Sequence, residues 1–296
     1  MHCINLKQRI YYHMRDITQS QAAVRKENTM ITSTANAQVK ELIRLMKKSR
    51  AREEAGVFIV EGPRMAGELT GDPAWKERID RIYLSESYAG KHKEDAEELV
   101  KTYRMEILAD HVFTHVSDTK SPQGILAVVR RKEYGLRDIT GGEPGNPLVV
   151  VLDNLQDPGN LGTIFRTGEA AGATGILLSR DCVDIYNPKV IRSTMGAVFR
   201  LPFLYVDDLP GAVCELKQEG IRVFAAHLEG RNAYDQEDYS GGTAFLIGNE
   251  GNGLRGEVAE CADCRVRIPM QGRAESLNAA VAAAVLMFEA GRQRRQ

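Results

Sequence analysis

The sequence predicts an α/β protein in two parts, a mostly parallel α/β domain over residues 148–296 preceded by a smaller α/β sandwich over residues 30–130. Three observations predict this. Leu148-Val-Val-Val-Leu152 is an uninterrupted apolar run, as expected of a strand buried on both faces of a parallel sheet. Comparable runs recur at Gly175–Leu178, Val223–Ala226, Ala244–Ile247 and Val266–Ile268, with helical stretches between them. Between the two parts, residues 131–147 (RKEYGLRDITGGEPGNP) hold two prolines and four glycines, the composition of a linker.

Taken in order, residues 1–29 are polar and aperiodic, and are expected to be a flexible extension or an upstream start artefact. Asn36 is a good helix cap, and Val39, Leu42, Ile43 and Met46 follow at the spacing of one helix face. Lys40, Arg44, Lys47 and Lys48 lie off that stripe, so the helix has an apolar side to bury and a cationic side to present. A strand at Val57–Val60 runs into Glu61-Gly62-Pro63, where proline suits a first helical turn. Ile79–Leu84 reads as a strand, Asp95–Tyr103 as a helix and Met105–Leu108 as a strand. A short helix begins near Asp110, and Gly124–Val129 is a further strand. Such alternation suits a sandwich of about 100 residues. Beyond the linker, helices are expected at Leu161–Ala171, Pro188–Met195, Leu209–Glu219 and Ala279–Ala290, around a sheet of five or six strands.

Composition narrows the function classes. With 43% hydrophobic and 27% charged residues the bulk of the chain should fold. The longest apolar run, Ala279–Phe288, is too short to cross a bilayer, so no membrane is expected. The opening MHCINLKQRIYYHMRD lacks the apolar core of a signal peptide, and a cytoplasmic location is expected. Five scattered cysteines argue against a disulfide framework. Cys261 and Cys264 form a C-x-x-C with no second ligand pair, and His111 and His115 lack the glutamate of H-E-x-x-H, so no metal is expected. A net charge of −1 means that any attraction to nucleic acid must be local. Residues 37–52 supply it, with six cations against Glu41; the other reading of that stretch is a solvated helix face.

Three segments carry chemistry. Asn154-Leu-Gln-Asp-Pro-Gly-Asn160 through Arg166 to Gly172 follows the first parallel strand and turns into a helix near Leu161, with Asn160 placed to cap it. A helix N-terminus at the carboxyl end of a parallel strand is where polar ligands bind, although a capping Asn and a surface Arg would look the same. Phe245-Leu-Ile-Gly248-Asn-Glu250-Gly251-Asn252-Gly253-Leu254 takes a strand into a glycine-rich turn. It lacks the G-K-[ST] of a phosphate loop, and its glutamate would repel phosphate. Alone it could be a plain strand-to-helix turn. Ile268-Pro269-Met270 and then Ser276-Leu277-Asn278 lead into the alanine-rich last helix, which Ser276 could cap.

In this order the three segments resemble the signature motifs of the SpoU (TrmH-like) branch of the SPOUT methyltransferases, N-x-G-x-x-x-R, G-x-E-G-x-G and I-P-M with S-L-N, over residues 148–292. The stretch from Val39 through Phe58-Ile-Val-Glu61-Gly62 is more loosely similar to an L30e/L7Ae-like substrate-binding domain. The resemblance implies a trefoil-knotted catalytic domain, a rare topology. It also implies a homodimer and methyl transfer from S-adenosylmethionine to a ribose 2′-hydroxyl of structured RNA, ribosomal RNA before transfer RNA. Carried over by position, Arg166 acts at the hydroxyl. Arginine is an unusual general base, and orienting the RNA while offsetting charge on the oxygen is the easier role. Asn160 would position Arg166 or the RNA backbone, Glu250 would hold that network and Asn278 would order the loop. Backbone groups of Gly248, Ile268 and Leu277 would recognise the cofactor, with Met270 and Ser276 close by. The rival readings are a non-catalytic RNA-binding protein and a nucleotide-binding oxidoreductase. The trio Arg166, Glu250 and Asn278 disfavours the first, and the missing G-x-G-x-x-G after Leu152 the second.

Overall fold

The computed structural model describes residues 30–141 and 145–295; the extension expected over residues 1–29 lies outside the described residues, as do linker residues 142–144. Asn36 caps α1 (Ala37–Lys47) by accepting the Gln38 N–H at 2.8 Å. α2 (Ser49–Ala55) ends at Gly56 in the left-handed conformation, which turns the chain into β1 (Val57–Glu61). There follow α3 (Pro63–Gly71), β2 (Ile79–Ser85), α4 (Glu86–Lys91), α5 (Lys93–Thr102), β3 (Met105–Leu108), α6 (Asp110–Val116) and β4 (Ile125–Arg130). The sheet order is β1-β4-β2-β3, antiparallel except for the β2–β3 pair.

The two faces of this sheet have different partners. On one, Val39, Leu42, Leu45 and Met46 of α1 pack with Val112, Phe113 and Val116 of α6. On the other, Phe58, Val60, Ile82 and Leu84 share a single core with Tyr186, Phe199 and the second sheet's Leu148, Val150 and Leu152. Phe58 lies 4.5 Å from Tyr186 between ring centroids, and the Trp75 indole N–H donates to the Phe199 carbonyl at 2.7 Å. Each large apolar side chain buried this way contributes roughly 1.5–3 kcal/mol. The two sheets are therefore joined by packing as well as by the chain.

The second sheet contains β5 (Leu148–Leu152), β6 (Gly175–Ser179), β7 (Phe203–Val206), β8 (Arg222–Ala226), β9 (Asn232–Ala233), β10 (Thr243–Ile247) and β11 (Cys264–Arg267). Its order is β7-β6-β5-β10-β8-β11-β9 and every pairing is parallel. Seven strands replace the expected five or six, because short β7 and β9 add at the two edges. Its principal helices are α7 (Pro158–Ala171), α8 (Pro188–Thr194), α9 (Leu209–Gln218), α10 (Gly256–Glu260) and α11 (Ala279–Gln293). α7 begins three residues earlier than expected. Asp157, not Asn160, caps it, accepting the Asn160 N–H at 2.7 Å, and Pro158 occupies the first turn. Gly162 lets α7 approach α8 closely: a Cβ there would sit 1.7 Å from the Ser193 Oγ. Among the described residues no helix is long and apolar enough to cross a membrane.

Candidate active site

β5, β10, β8 and β11 all deliver their carboxyl ends to one side of the sheet, where α/β proteins bind ligands. A cavity of about 790 Å³ opens there. It is lined by the end of β8 and the residues after it (Ala226 to Glu229), the loop Gly248–Leu254, the stretch Val266–Ile268 with Met270, and Glu275–Ala279 with Ala282. The five positions expected to hold the cofactor, Gly248, Ile268, Met270, Ser276 and Leu277, all line it.

The loop after β10 is built around Asn249. Its amide oxygen accepts the Gly251 and Asn252 N–H groups at 2.9 and 3.1 Å, and its backbone pairs with that of Gly253 in both directions. Gly253 takes a positive φ of 68° to close the turn. Gly248 has no room for a side chain, since a Cβ would meet the backbone of Gly253 and Leu254 at 2.2 Å. Two further contacts fasten this loop to the one after β5. The Asn249 side chain donates to the Asn154 carbonyl at 2.8 Å. Fully buried Asp153 accepts the Arg255 backbone N–H at 2.8 Å and its Nε at 2.7 Å. The sequence reading missed Asp153, Asn249 and Arg255. A lone charge ending an apolar strand was the available signal for Asp153, but its partner lies 102 residues away.

Three of the four expected catalytic residues meet. Asn160 donates its amide to the Glu250 Oε1 at 2.9 Å, and the Asn278 amide donates to the Asn160 Oδ1 at 2.8 Å. Glu250 also accepts the Gln156 and Asp157 backbone N–H groups at 3.2 and 3.0 Å. Partial burial pushes its pKa up, but these donors outweigh burial and leave the carboxyl below its ordinary value. Asn278, not Ser276, caps α11, accepting the N–H groups of Ala280 and Val281 at 3.0 and 3.3 Å. Each amide thus serves twice: the N-termini of α7 and α11 are coupled directly, amide to amide, and the Glu250 carboxylate ties that pair to the loop after β10.

Arg166 stands apart from this network. It is exposed on α7 and forms no hydrogen bond or ion pair among the described residues. Six positions along a helix carry it about 120° around from Asn160, so Asn160 does not hold it here. Its guanidinium is left open to a ligand.

The cavity suits an S-adenosylmethionine-like group on its own chemistry. Glu229, Glu250 and Glu275 face it against one guanidinium, Arg267, and this excess of carboxylate favours a sulfonium cation over a phosphate. Its size is that of a cofactor site, and the close backbone approach at Gly248 gives amides and carbonyls for a nucleoside.

Of the expected RNA-contacting residues, Lys40, Lys47 and Lys48 are exposed. Arg44 is exposed as well, but its Nε and Nη2 donate to Glu41 at 2.9 and 3.0 Å, which offsets its charge locally. Arg52, counted with these cations from the sequence, is instead 2% exposed and bonded to Asp184. Among the described residues no group of three or more His, Cys, Asp or Glu could hold a metal ion.

Comparison with known proteins agrees with this geometry. The sequence profile described as the SpoU rRNA methylase family matches residues 147–288, and that of the MRM3-like substrate-binding domain matches residues 36–127. The 23S rRNA (guanosine(2553)-2′-O)-methyltransferase of Bacillus subtilis is 33% identical over 87% of this chain and 97% of its own length. The AdoMet-bound rRNA methyltransferase of Sinorhizobium meliloti superposes with a TM-score of 0.77 at 31% identity, covering 89% of this chain and 97% of that one. The SpoU methyltransferase AviRb of Streptomyces viridochromogenes, in complex with AdoMet, also gives 0.77, at 30% identity over 88% of this chain and 98% of that one.

Proposed function

This chain belongs to the SpoU rRNA methylase family and is an S-adenosylmethionine-dependent RNA ribose 2′-O-methyltransferase, and from that premise we propose that it methylates structured ribosomal RNA held by its N-terminal domain. The observation that carries the reading is the Asn160–Glu250–Asn278 network beside a cavity lined by Gly248, Ile268 and Leu277. When bound, the cofactor supplies an electrophilic methyl carbon on a sulfonium. The chain's own residues must bring a ribose oxygen behind that carbon and manage the charge as the O–C bond forms and the hydroxyl proton leaves.

In this reading the Asn160–Glu250–Asn278 network does not take that proton. It fixes the substrate loop after β5 to the cofactor loop after β10, so that both reactants meet in one geometry. Arg166, free of partners among the described residues, orients the RNA and offsets negative charge on the 2′-oxygen as it forms. Backbone groups at Gly248, Ile268 and Leu277 hold the cofactor, with Met270 and Ser276 against it. Lys40, Lys47 and Lys48, and Arg44 to a lesser extent, meet the phosphate backbone. Residues 30–130 then act as the RNA-reading domain, 131–147 as the connection, 148–296 as the catalytic domain and 1–29 as an extension to it.

The protein acts in the cytoplasm as a homodimer. Support for the dimer comes from α11. Its alanines Ala280, Ala283 and Ala290 are buried within their own core. Val281 and Phe288, one heptad apart, are instead 47% and 48% exposed. The test pairs calorimetric titration of S-adenosylmethionine with a map of 2′-O-methylation across total RNA from cells with and without the protein. Cofactor binding and one mark missing from ribosomal RNA are expected; a mark missing from transfer RNA instead would overturn the substrate.

A further inference from the structure

The loop between β6 and α8, residues 180–187, touches both halves of the molecule. At its start, the Gln156 side chain donates to the Asp181 carbonyl at 2.6 Å, and the Gln156 backbone N–H is one of the donors to Glu250. Asp181 also lies 3.5 Å from Arg255, the partner of buried Asp153. Three residues later, Asp184 leaves the catalytic domain's own network and reaches the N-terminal one. Its Oδ2 accepts the Ser49 hydroxyl at 2.7 Å and the Arg52 Nε at 3.1 Å, with the Arg52 Nη2 on the same oxygen. Arg52 in turn donates its Nη1 to the Leu45 carbonyl at 2.7 Å, at the C-terminal end of α1 beside Lys47 and Lys48. Two positions on, Tyr186 packs on Phe58 and carries the Arg131 guanidinium over its ring at 4.5 Å.

A continuous line of contacts therefore runs from the carboxylate of the catalytic loop to the end of the basic helix, through one eight-residue segment. Arg52 is almost wholly buried, and a buried cation that loses its partner is destabilised strongly, so this docking has a single favourable arrangement. Other contacts along the seam hold the same arrangement: Arg192 to Asp118 at 3.1 Å, and the Trp75 indole to Phe199.

We propose that Asp184 and Arg52 are positioning residues that determine which nucleotide is methylated, by fixing the basic end of α1 at one distance and angle from the catalytic loops. The inference rests on the RNA methyltransferase reading above. A domain docked in this way acts as a ruler. RNA gripped at Lys47 and Lys48 presents one ribose to the cavity, whereas a loosely hung domain would present several. A misplacement of about an ångström is enough to cost roughly a hundredfold in rate.

The experiment uses the full chain as wild type, Asp184→Ala and Asp184→Glu, with a ribosomal RNA transcript and S-adenosylmethionine. Cofactor affinity is read by calorimetry, kcat/KM by radiolabelled methyl transfer, methylated positions by sequencing and domain separation by small-angle scattering. Asp184→Ala should bind the cofactor within about twofold of wild type and lose roughly tenfold to a hundredfold in kcat/KM for RNA. It should also place marks on neighbouring nucleotides and scatter as a more open particle, and Asp184→Glu should restore much of the wild-type behaviour. Wild-type efficiency at the same single nucleotide in Asp184→Ala overturns the proposal. So does an equal loss of cofactor affinity, which would make Asp184 a support of the catalytic domain alone. A wild-type chain that binds cofactor but methylates no ribosomal RNA would defeat the substrate reading instead; an Asp184→Ala scattering curve identical to wild type would then still defeat the clamp.

Discussion

At the scale of single residues the site depends on one carboxylate. Glu250 gathers the Asn160 amide and two backbone N–H groups, so its removal leaves donors unmet at the start of α7. Glu250→Ala should lower kcat/KM by roughly tenfold to a hundredfold, about 1.4–2.8 kcal/mol, in single-turnover assays. Its pKa is depressed on folding, so the ionised form stabilises the protein above the unfolded value of about 4.3 and that contribution is lost as pH falls through the lower folded value. The melting-temperature gap between wild type and Glu250→Gln should accordingly stay constant from about pH 8 to 5 and narrow only below about pH 4.3. Arg166→Ala should depress kcat while leaving cofactor affinity unchanged, since Arg166 touches neither the network nor the lining of the cavity. Singly, Asn160, Glu250 and Asn278 read as caps and a turn, and it was the family resemblance of their three motifs, taken in order, that joined them as a set. Their bonds were not legible: Asn160 and Asn278 are 118 residues apart, and which of two capping residues caps a helix is settled by what else each must hold. Arg52 shows the same limit. In sequence it is one more cation of a basic run, and only the fold supplies Asp184, 132 residues on.

At the scale of elements, the apolar runs were the most readable feature. β5, β6, β8 and β10 each fall within a residue of an apolar run, because strands covered on both faces carry no polar alternation to blur them. β11, by contrast, alternates exposed Arg265 and Arg267 with buried Val266 and begins two residues before the run that marked it. β7 and β9 escaped for the opposite reason. Leu204, Tyr205 and Val206 are only partly buried at an edge, and β9 is two residues long. The helix starts were misplaced where two candidate caps lie within three residues, as at Asp157 and Asn160. The loop after β10 is the element least tolerant of change. Gly248→Ala would push a methyl group into the backbone of Gly253 and Leu254, with no flexible side chain to yield. The loop must open, and S-adenosylmethionine affinity should fall at least about tenfold by calorimetry, while the circular dichroism of the sheets stays as in wild type.

At the scale of the whole molecule, charge is arranged locally against a net of −1. RNA affinity should weaken with salt, and replacing Lys40, Lys47 and Lys48 together with alanine should reduce the slope of log K against log salt by about 2. An unchanged slope in filter binding would place the RNA elsewhere. In the proposed dimer, Phe288→Glu should leave only monomer in sedimentation velocity, because a charge on the exposed stripe formed by Val281 and Phe288 would be buried without a partner. The packing of Phe58 and Trp75 on Tyr186 and Phe199 also affects how the protein is made. Arg130, the last residue of the first sheet, leaves the ribosome 69 residues ahead of the Phe199 that covers Trp75. At ordinary elongation rates that is roughly three to fourteen seconds in which the first sheet is complete while one of its faces is bare. The N-terminal domain thus emerges with a greasy side awaiting its cover, and expressed alone it should be recovered mostly with chaperones or as aggregate.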